Sequence, residues 1–164
     1  MSHNTPRRVV CMTGEPQEIR IRHFSLADLP RVLEIEPASF RVVDAWSRPI
    51  FRKWYRKCPD LFIVAEISGT IAGYMCTSME QKTGEIESIA VAPAFRRQGV
   101  ASALMDYTLR EMQASGITTV GLQVRTTNTG GIRFWQNVGF VPSGILPNFY
   151  DDGAEALQMK KSLT

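Results

Sequence analysis

From Glu18 to His23 apolar and polar residues alternate, with Ile19 and Ile21 on one side, and this period of two predicts a strand. Ser25 and Asp28 then stand three apart, as in a capping box, and Leu29, Val32, Leu33 and Ile35 recur at helical spacing to about Ser39. Phe40 to Ala45 keeps neither period and predicts a loop. Trp46 to Cys58 predicts a second helix, amphipathic and basic, that stops before Pro59. Leu61 to Ile67 and Ile71 to Ser78 read as strands joined by the turn Ser68-Gly69-Thr70, and Lys82-Thr83-Gly84 turns into a third strand, Glu85 to Ala92. Ala101, Leu104, Met105, Thr108, Leu109 and Met112 draw one stripe on a helix that begins near Gly99, with Gly116 as its stop. Thr118 to Arg125 alternates again: Val120, Leu122 and Val124 face one way, Gly121, Gln123 and Arg125 the other. Asn128 opens a helix to about Val138, and Gly139 to Leu146 and Ala154 to Lys161 close the chain as strands.

The resulting order, β-α-α-β-β-β-α-β-α-β-β, predicts an α/β fold: a mixed sheet of about seven strands with about four helices on both faces. The crossover through the Gly99 helix is expected to be right-handed, which makes the strands on either side of it parallel. Residues 1–17 are expected to form a flexible tail, and 18–164 a single domain.

Bulk properties narrow the function classes. The chain has 164 residues, 44% hydrophobic and 21% charged, enough for one domain with a real core. No apolar run is long enough to cross a bilayer, and Met1 to Gln17 holds no signal-peptide core. Cys11, Cys58 and Cys76 are odd in number and lack metal-ligand spacing, which reads as reduced thiols in a cytoplasmic protein. His3 and His23 stand apart, so neither a His-based metal site nor a Ser-His-Asp triad is expected, and no metal is expected at all. A net charge of +3 argues by itself for neither a membrane nor a nucleic-acid partner. Arg52, Lys53, Arg56 and Lys57 read as a solvated helix face, with a nucleoprotein surface as the alternative.

The chemistry is concentrated in the run from Ile86 to Ser102. An apolar strand breaks at Pro93; Arg96 and Arg97 follow, then Gly99 and an amphipathic helix. A strand, a turn and a helix N-terminus in this order bring unpaired N–H donors and the positive end of the helix dipole to one spot, which suits a phosphate. Gly99 lets the backbone approach a ligand closely. No Gly-Lys-Ser/Thr follows, so this is not a nucleotide P-loop, and one glycine is too few for a dinucleotide fingerprint.

The arrangement Arg96-x-x-Gly99-x-Ala101 resembles the pyrophosphate-binding loop of the GNAT superfamily of N-acetyltransferases. Val124-Arg125-x-x-Asn128 followed by Phe134-Trp135-x-x-x-Gly139-Phe140 resembles a second signature of that superfamily. Phe149-Tyr150-x-x-x-x-Glu155-Ala156-x-x-Met159, and the loop from Phe40 through Ala45-Trp46-Ser47, are similar to N-terminal protein acetyltransferases, closest to the ribosomal-protein alanine branch. The likeness covers about Glu18 to Leu163. It implies a mostly antiparallel, twisted sheet whose central strands splay around acetyl-CoA, the cosubstrate. It implies that the backbones of Ile89, Ala90 and Val91 bind pantetheine and that Arg96, Arg97, Gln98, Gly99, Val100, Ala101 and Ser102 take the pyrophosphate. Asn128 would contact pantetheine, and Trp135 would lie beside the thioester, although packing alone also explains Trp135. The acceptor would sit between the Phe40–Trp46 loop and the Phe149–Tyr150 loop. Partners would be a protein or peptide N-terminus or a small amine, and the chain a monomer or homodimer.

Two positions depart from that branch: it has a glutamate where this chain has Gln123, and a tyrosine where it has Trp135. Glutamine accepts no proton at neutral pH and indole is no useful acid. Glu85 is the candidate replacement base, acting through a water, at the position where some lysine acetyltransferases of the superfamily keep theirs, with Gln123 positioning that water or the peptide. Tyr150 is a candidate acid. Glu87 shares a strand face with Glu85, where it would meet substrate or simply cover a sheet edge. The function implied is acetyl transfer from acetyl-CoA to a primary amine, foremost a protein N-terminus. Transfer to lysine or a small amine, and a non-catalytic acyl-CoA-binding module, remain as alternatives.

Overall fold

The structure is a computed structural model and describes residues 7–10, 16–39 and 44–163. Phe40 lies outside the described residues. The strands are β1 (Arg7–Val10), β2 (Pro16–His23), β3 (Phe62–Ile67), β4 (Thr70–Glu80), β5 (Thr83–Val91), β6 (Thr119–Arg125), β7 (Val141–Leu146) and β8 (Ala156–Ser162). The helices are α1 (Leu29–Ser39), α2 (Arg48–Lys57), α3 (Val100–Ala114) and α4 (Thr129–Val138). One sheet runs in the order β1-β2-β3-β4-β5-β6-β8-β7. The antiparallel neighbours include β2–β3, β3–β4, β6–β8 and β7–β8, and β5–β6 is parallel, as the crossover through α3 requires.

The expected elements all form, with ends shifted by a residue or two. The addition is β1. Arg7–Val10 lies in the segment read as a tail, yet it pairs antiparallel with β2 from Arg7↔Ile19 to Val10↔Pro16, and β2 opens at Pro16 rather than Glu18. Four residues are too few for a periodicity to register. What recruits them is the row of backbone donors and acceptors along β2, which no local pattern announces.

The chain forms two compact units. The first comprises the described residues of Met1–Thr77 with Glu87–Glu111, the second Ser78–Ile86 with Met112–Thr164. In the first, Phe24 stacks on Phe62 at 4.1 Å and Phe51 meets Tyr74 edge-on at 5.4 Å, all four buried. Asp28 accepts the N–H of Ser25 at 2.8 Å, the acidic half of the predicted cap, and also binds Arg22. Gly73 brings two strands close, since a Cβ there would stand 2.8 Å from the Ala90 carbonyl and 3.1 Å from Val100 Cγ1. In the second unit, Val120, Leu122, Val124, Trp135, Phe140 and Met159 are buried. Gly84 is similarly forced, because Met112 Sδ lies 2.7 Å from where its Cβ would be. Among the described residues no helix is long and apolar enough to cross a membrane.

Candidate active site

Strand β5 carries its side chains in strict alternation: Gly84, Ile86, Ser88 and Ala90 are buried, while Glu85, Glu87, Ile89 and Val91 are half-buried on the other face. Past Val91 the chain makes a 3-10 turn, Pro93–Phe95, and then enters the segment 96–99. Two residues there adopt left-handed backbone, Arg97 at φ +60° and Gly99 at φ +81°. Left-handed turns aim successive N–H groups inward and make anion-binding hollows. Ala103 N–H bonds the Gly99 carbonyl at 3.0 Å, the first bond of α3. Helix geometry therefore provides no carbonyl one turn earlier for the N–H groups of Val100, Ala101 and Ser102. The turn is braced by its own side chains: Arg96 Nε donates to the Val91 carbonyl at 3.3 Å, and Gln98 Nε2 to the Ala94 carbonyl at 3.2 Å. Arg96 and Arg97 are exposed, and Val100 is buried.

The second constellation lies in the second unit and is made of side chains. The parallel pairing of β5 with β6 runs from Thr83↔Thr119 to Glu85↔Gly121. At its end Gln123 Nε2 donates to Glu85 Oε1 at 2.6 Å. Gly121 makes room for that carboxylate, because a Cβ there would stand 2.9 Å from Glu85 Oε2. The two residues singled out for base and positioning work are thus in direct contact. An amide that donates to a carboxylate fixes its orientation without competing for the proton.

Arg125, two residues further along β6, is 8% exposed and organises the β7–β8 connection. Its guanidinium carbon sits 4.1 Å from the centre of the Tyr150 ring, and its Nη1 binds both Asp152 oxygens at 3.0 and 3.3 Å. Asp152 Oδ1 also accepts the N–H of Ala154 at 3.0 Å, and the N–H groups of Phe149 and Tyr150 both donate to the Ala154 carbonyl. Phe149 packs edge-on against Tyr150 and stays 45% exposed. The sequence motif contained Arg125 but gave it no role; only the tertiary contacts do.

Other expected residues take structural positions. Asn128 caps α4 through its side-chain oxygen, which accepts Gly131 N–H at 2.9 Å. Trp135 is 7% exposed and packs edge-on against Phe134 and Phe140. Trp46 stacks on Trp54 with an interplanar angle of 9° and meets Phe51 edge-on. Burial pushes the Cys76 thiol well above its ordinary range, so it stays protonated filler.

Glu36 escaped the sequence reading altogether. It is 1% exposed, and its Oε2 accepts the Trp46 N–H at 2.8 Å while its Oε1 accepts the Ser88 hydroxyl at 3.3 Å. Ser88 Oγ and Tyr74 OH share a further hydrogen bond of 2.9 Å. Burial pushes this carboxyl up to about 7, against the pull of the two donors. The signal was present: residues 29, 32, 33 and 36 share one helix face, and only the last is acidic.

The sequence model of the acetyltransferase (GNAT) family matches residues 29–140, and the chain belongs to that family. It is an acyltransferase of the N-acetyltransferase kind. An uncharacterized N-acetyltransferase of Methanocaldococcus jannaschii is 34% identical over 143 residues, covering 86% of this chain and 90% of the relative. The ribosomal protein bS18-alanine N-acetyltransferase of Escherichia coli K12 is 31% identical over 137 residues, covering 82% and 90%. The crystal structure of Ard1 from Thermoplasma volcanium superposes with a TM-score of 0.83 at 32% identity, over 89% of this chain and 98% of that one.

Proposed function

We propose that this acetyltransferase uses acetyl-CoA to acetylate the α-amino group at the N-terminus of a protein, with Glu85 as general base. The observation that carries the reading is the 2.6 Å contact from Gln123 to Glu85, which holds one carboxylate oxygen and aims the group. The Escherichia coli relative points to the acceptor: within a protein, an alanine offers an amine for acetylation only when it is the first residue.

The chain's features fit acetyl-CoA. The turn 96–99 with its two left-handed residues, the first turn of α3, and the exposed Arg96 and Arg97 suit a pyrophosphate. Acetyl-CoA supplies the activated acetyl group. The protein's part is to hold it, and to take the proton that the attacking amine gives up as its nitrogen bonds the acetyl carbon and the carbon–sulfur bond breaks. In this reading Glu85 takes that proton through a water that Gln123 helps to position. The demand on it is modest, since a free α-amine has a pKa of roughly 7.7–8.0 against roughly 10.4 for lysine. Phe149 and Tyr150 are the residues proposed to meet the acceptor.

The test is thiol release from acetyl-CoA with peptides of varied first residue, each paired with an N-terminally blocked twin. Release only with the free terminus is the expected result. Release with blocked, lysine-containing peptides would replace it with lysine transfer, the activity suggested by the position of Glu85. Binding of acetyl-CoA without release to any amine would leave only a binding module.

A further inference from the structure

The chain's positive charge is not spread over its surface. It holds 19 lysines and arginines against 16 carboxylates. Helix α2 alone, ten residues reading RPIFRKWYRK, contains five of those cations and no acid. Taking them out leaves 14 against 16, so the rest of the chain is net negative and its whole excess resides in one helix. All five, Arg48, Arg52, Lys53, Arg56 and Lys57, are exposed, and among the described residues none of them is ion-paired.

Their spacing makes two rows. Arg48, Arg52 and Arg56 follow one another at i, i+4, and Lys53 and Lys57 do the same beside them, with about 6 Å of helix rise between members. Like charges at this spacing destabilise a bare helix, so the fold does not require the arrangement. The ammonium groups are also held in place. Lys53 Nζ lies 5.6 Å and Lys57 Nζ 4.9 Å from the Trp54 ring centre, and Trp54 is itself braced by stacking on Trp46. Lys53, Arg56 and Lys57 line a shallow hollow of about 350 Å³.

We propose that the outer face of α2 is a docking surface for the phosphate backbone of a nucleic acid. Two evenly spaced rows of cations on a helix that carries no acid suit a repeating polyanion. An anionic membrane fits less well, because an interfacial helix must bury an apolar face in lipid. Most of the large apolar residues of α2 turn inward, Phe51 fully buried and Trp54 and Tyr55 packed against the core, and a 37%-exposed Ile50 is too little to anchor a helix in lipid. An acidic protein surface is the competing occupant, and polyglutamate stands for it in the binding test. A net charge of only +3 says nothing for such a partner by itself; the local concentration of cations on α2 favours the alternative reading of this face.

The test is fluorescence anisotropy of the full chain with labelled 20-nucleotide RNA and DNA of one sequence, single-stranded and duplex, from 50 to 250 mM salt. Binding to the single strands is expected with a slope of log affinity on log salt of about −2 to −3, set by roughly −0.7 per neutralised phosphate. A preference for RNA or for DNA identifies the source of the backbone. The triple variant Lys53→Gln, Arg56→Gln, Lys57→Gln should bind at least tenfold more weakly, with a slope shallower by about 2. A control of equal net charge, Lys82→Gln, Arg110→Gln, Arg133→Gln, should lose less than twofold. The pair Arg48→Gln, Arg52→Gln, which leaves the lysines at Trp54 untouched, should give a smaller loss in the same direction, and thermal melts verify folding. Equal losses in control and triple variant, no binding at 50 mM salt, or tighter binding to phosphatidylserine vesicles or polyglutamate would each overturn the proposal.

Discussion

The turn at 96–102 and the Glu85–Gln123–Arg125 cluster are built in opposite ways. The first is made by backbone within seven consecutive residues: two left-handed dihedrals, a helix start, and side chains that mostly brace the turn itself. The second is made by side chains drawn from β5, β6 and the β7–β8 connection, positioned by strand register and by one buried arginine. A backbone site tolerates changes of side chain and resists changes of conformation, whereas a side-chain site does the reverse. By this contrast, a fold could keep such a turn while the side chains of the second cluster change.

The contrast can be broken most sharply at Glu85. Glu85→Gln should lower kcat by ~10²–10⁴, the usual worth of a positioned base, while leaving the acetyl-CoA dissociation constant unchanged. Steady-state kinetics combined with calorimetric titration separates the two, and wild-type turnover in the variant would remove Glu85 from the mechanism.

The next effect concerns stability and asks whether Glu36 is scaffold. Folding raises its proton affinity, so its contribution is full below the ordinary carboxylate range and is lost as pH rises through about 7. Between pH 4.5 and 8 the wild type should therefore lose ~3 kcal/mol of stability relative to Glu36→Gln, which stays neutral throughout. Denaturant titrations at the two pH values measure this. Parallel stability profiles for the two proteins would contradict the burial argument.

Arg125 sharpens the comparison from the side-chain half. Arg125→Met removes both the contact with the Tyr150 ring and the pair with Asp152, and should raise the peptide KM about tenfold with acetyl-CoA affinity intact, a cost of ~1.4 kcal/mol. A fall in kcat at unchanged KM would instead place the β7–β8 loop in the chemical step. The smallest change is expected at the backbone half. Gly99→Ala forces a Cβ into left-handed backbone at ~1–2 kcal/mol, and should weaken acetyl-CoA binding by up to about tenfold while kcat at saturation holds. Arg97→Gly, which relieves the same kind of strain at φ +60°, should preserve binding better than Gly99→Ala does.

Local pattern made most of this protein legible. The strand periods of β2 and β6, the stripe on α3, and the stop at Gly116, which sits at φ +83°, are all written in neighbouring residues. So is the cap of α4, where Asn128 accepts Gly131 N–H three residues on. Glu85 and Gln123 were selected by resemblance and by the chemistry of their side chains, but their contact joins residues 38 apart in the chain. The strand β1 was missed because four residues carry no period. Glu36 was missed because a lone acid on an apolar stripe is visible only when the stripe is known to be buried. Arg125 was passed over because nothing near it in sequence resembles a partner; Tyr150 and Asp152 come from beyond α4 and β7.

The sequence by itself determined the order of the elements after β1, the acetyltransferase (GNAT) family and the turn at 96–102, because each is carried by short runs of neighbouring residues. Only the tertiary structure decided that Gln123 holds Glu85, that Arg125 organises the Tyr150 loop, and that Glu36 holds its proton to about pH 7. Those outcomes rest on strand register and desolvation, and both come into being only when distant segments of chain pack together.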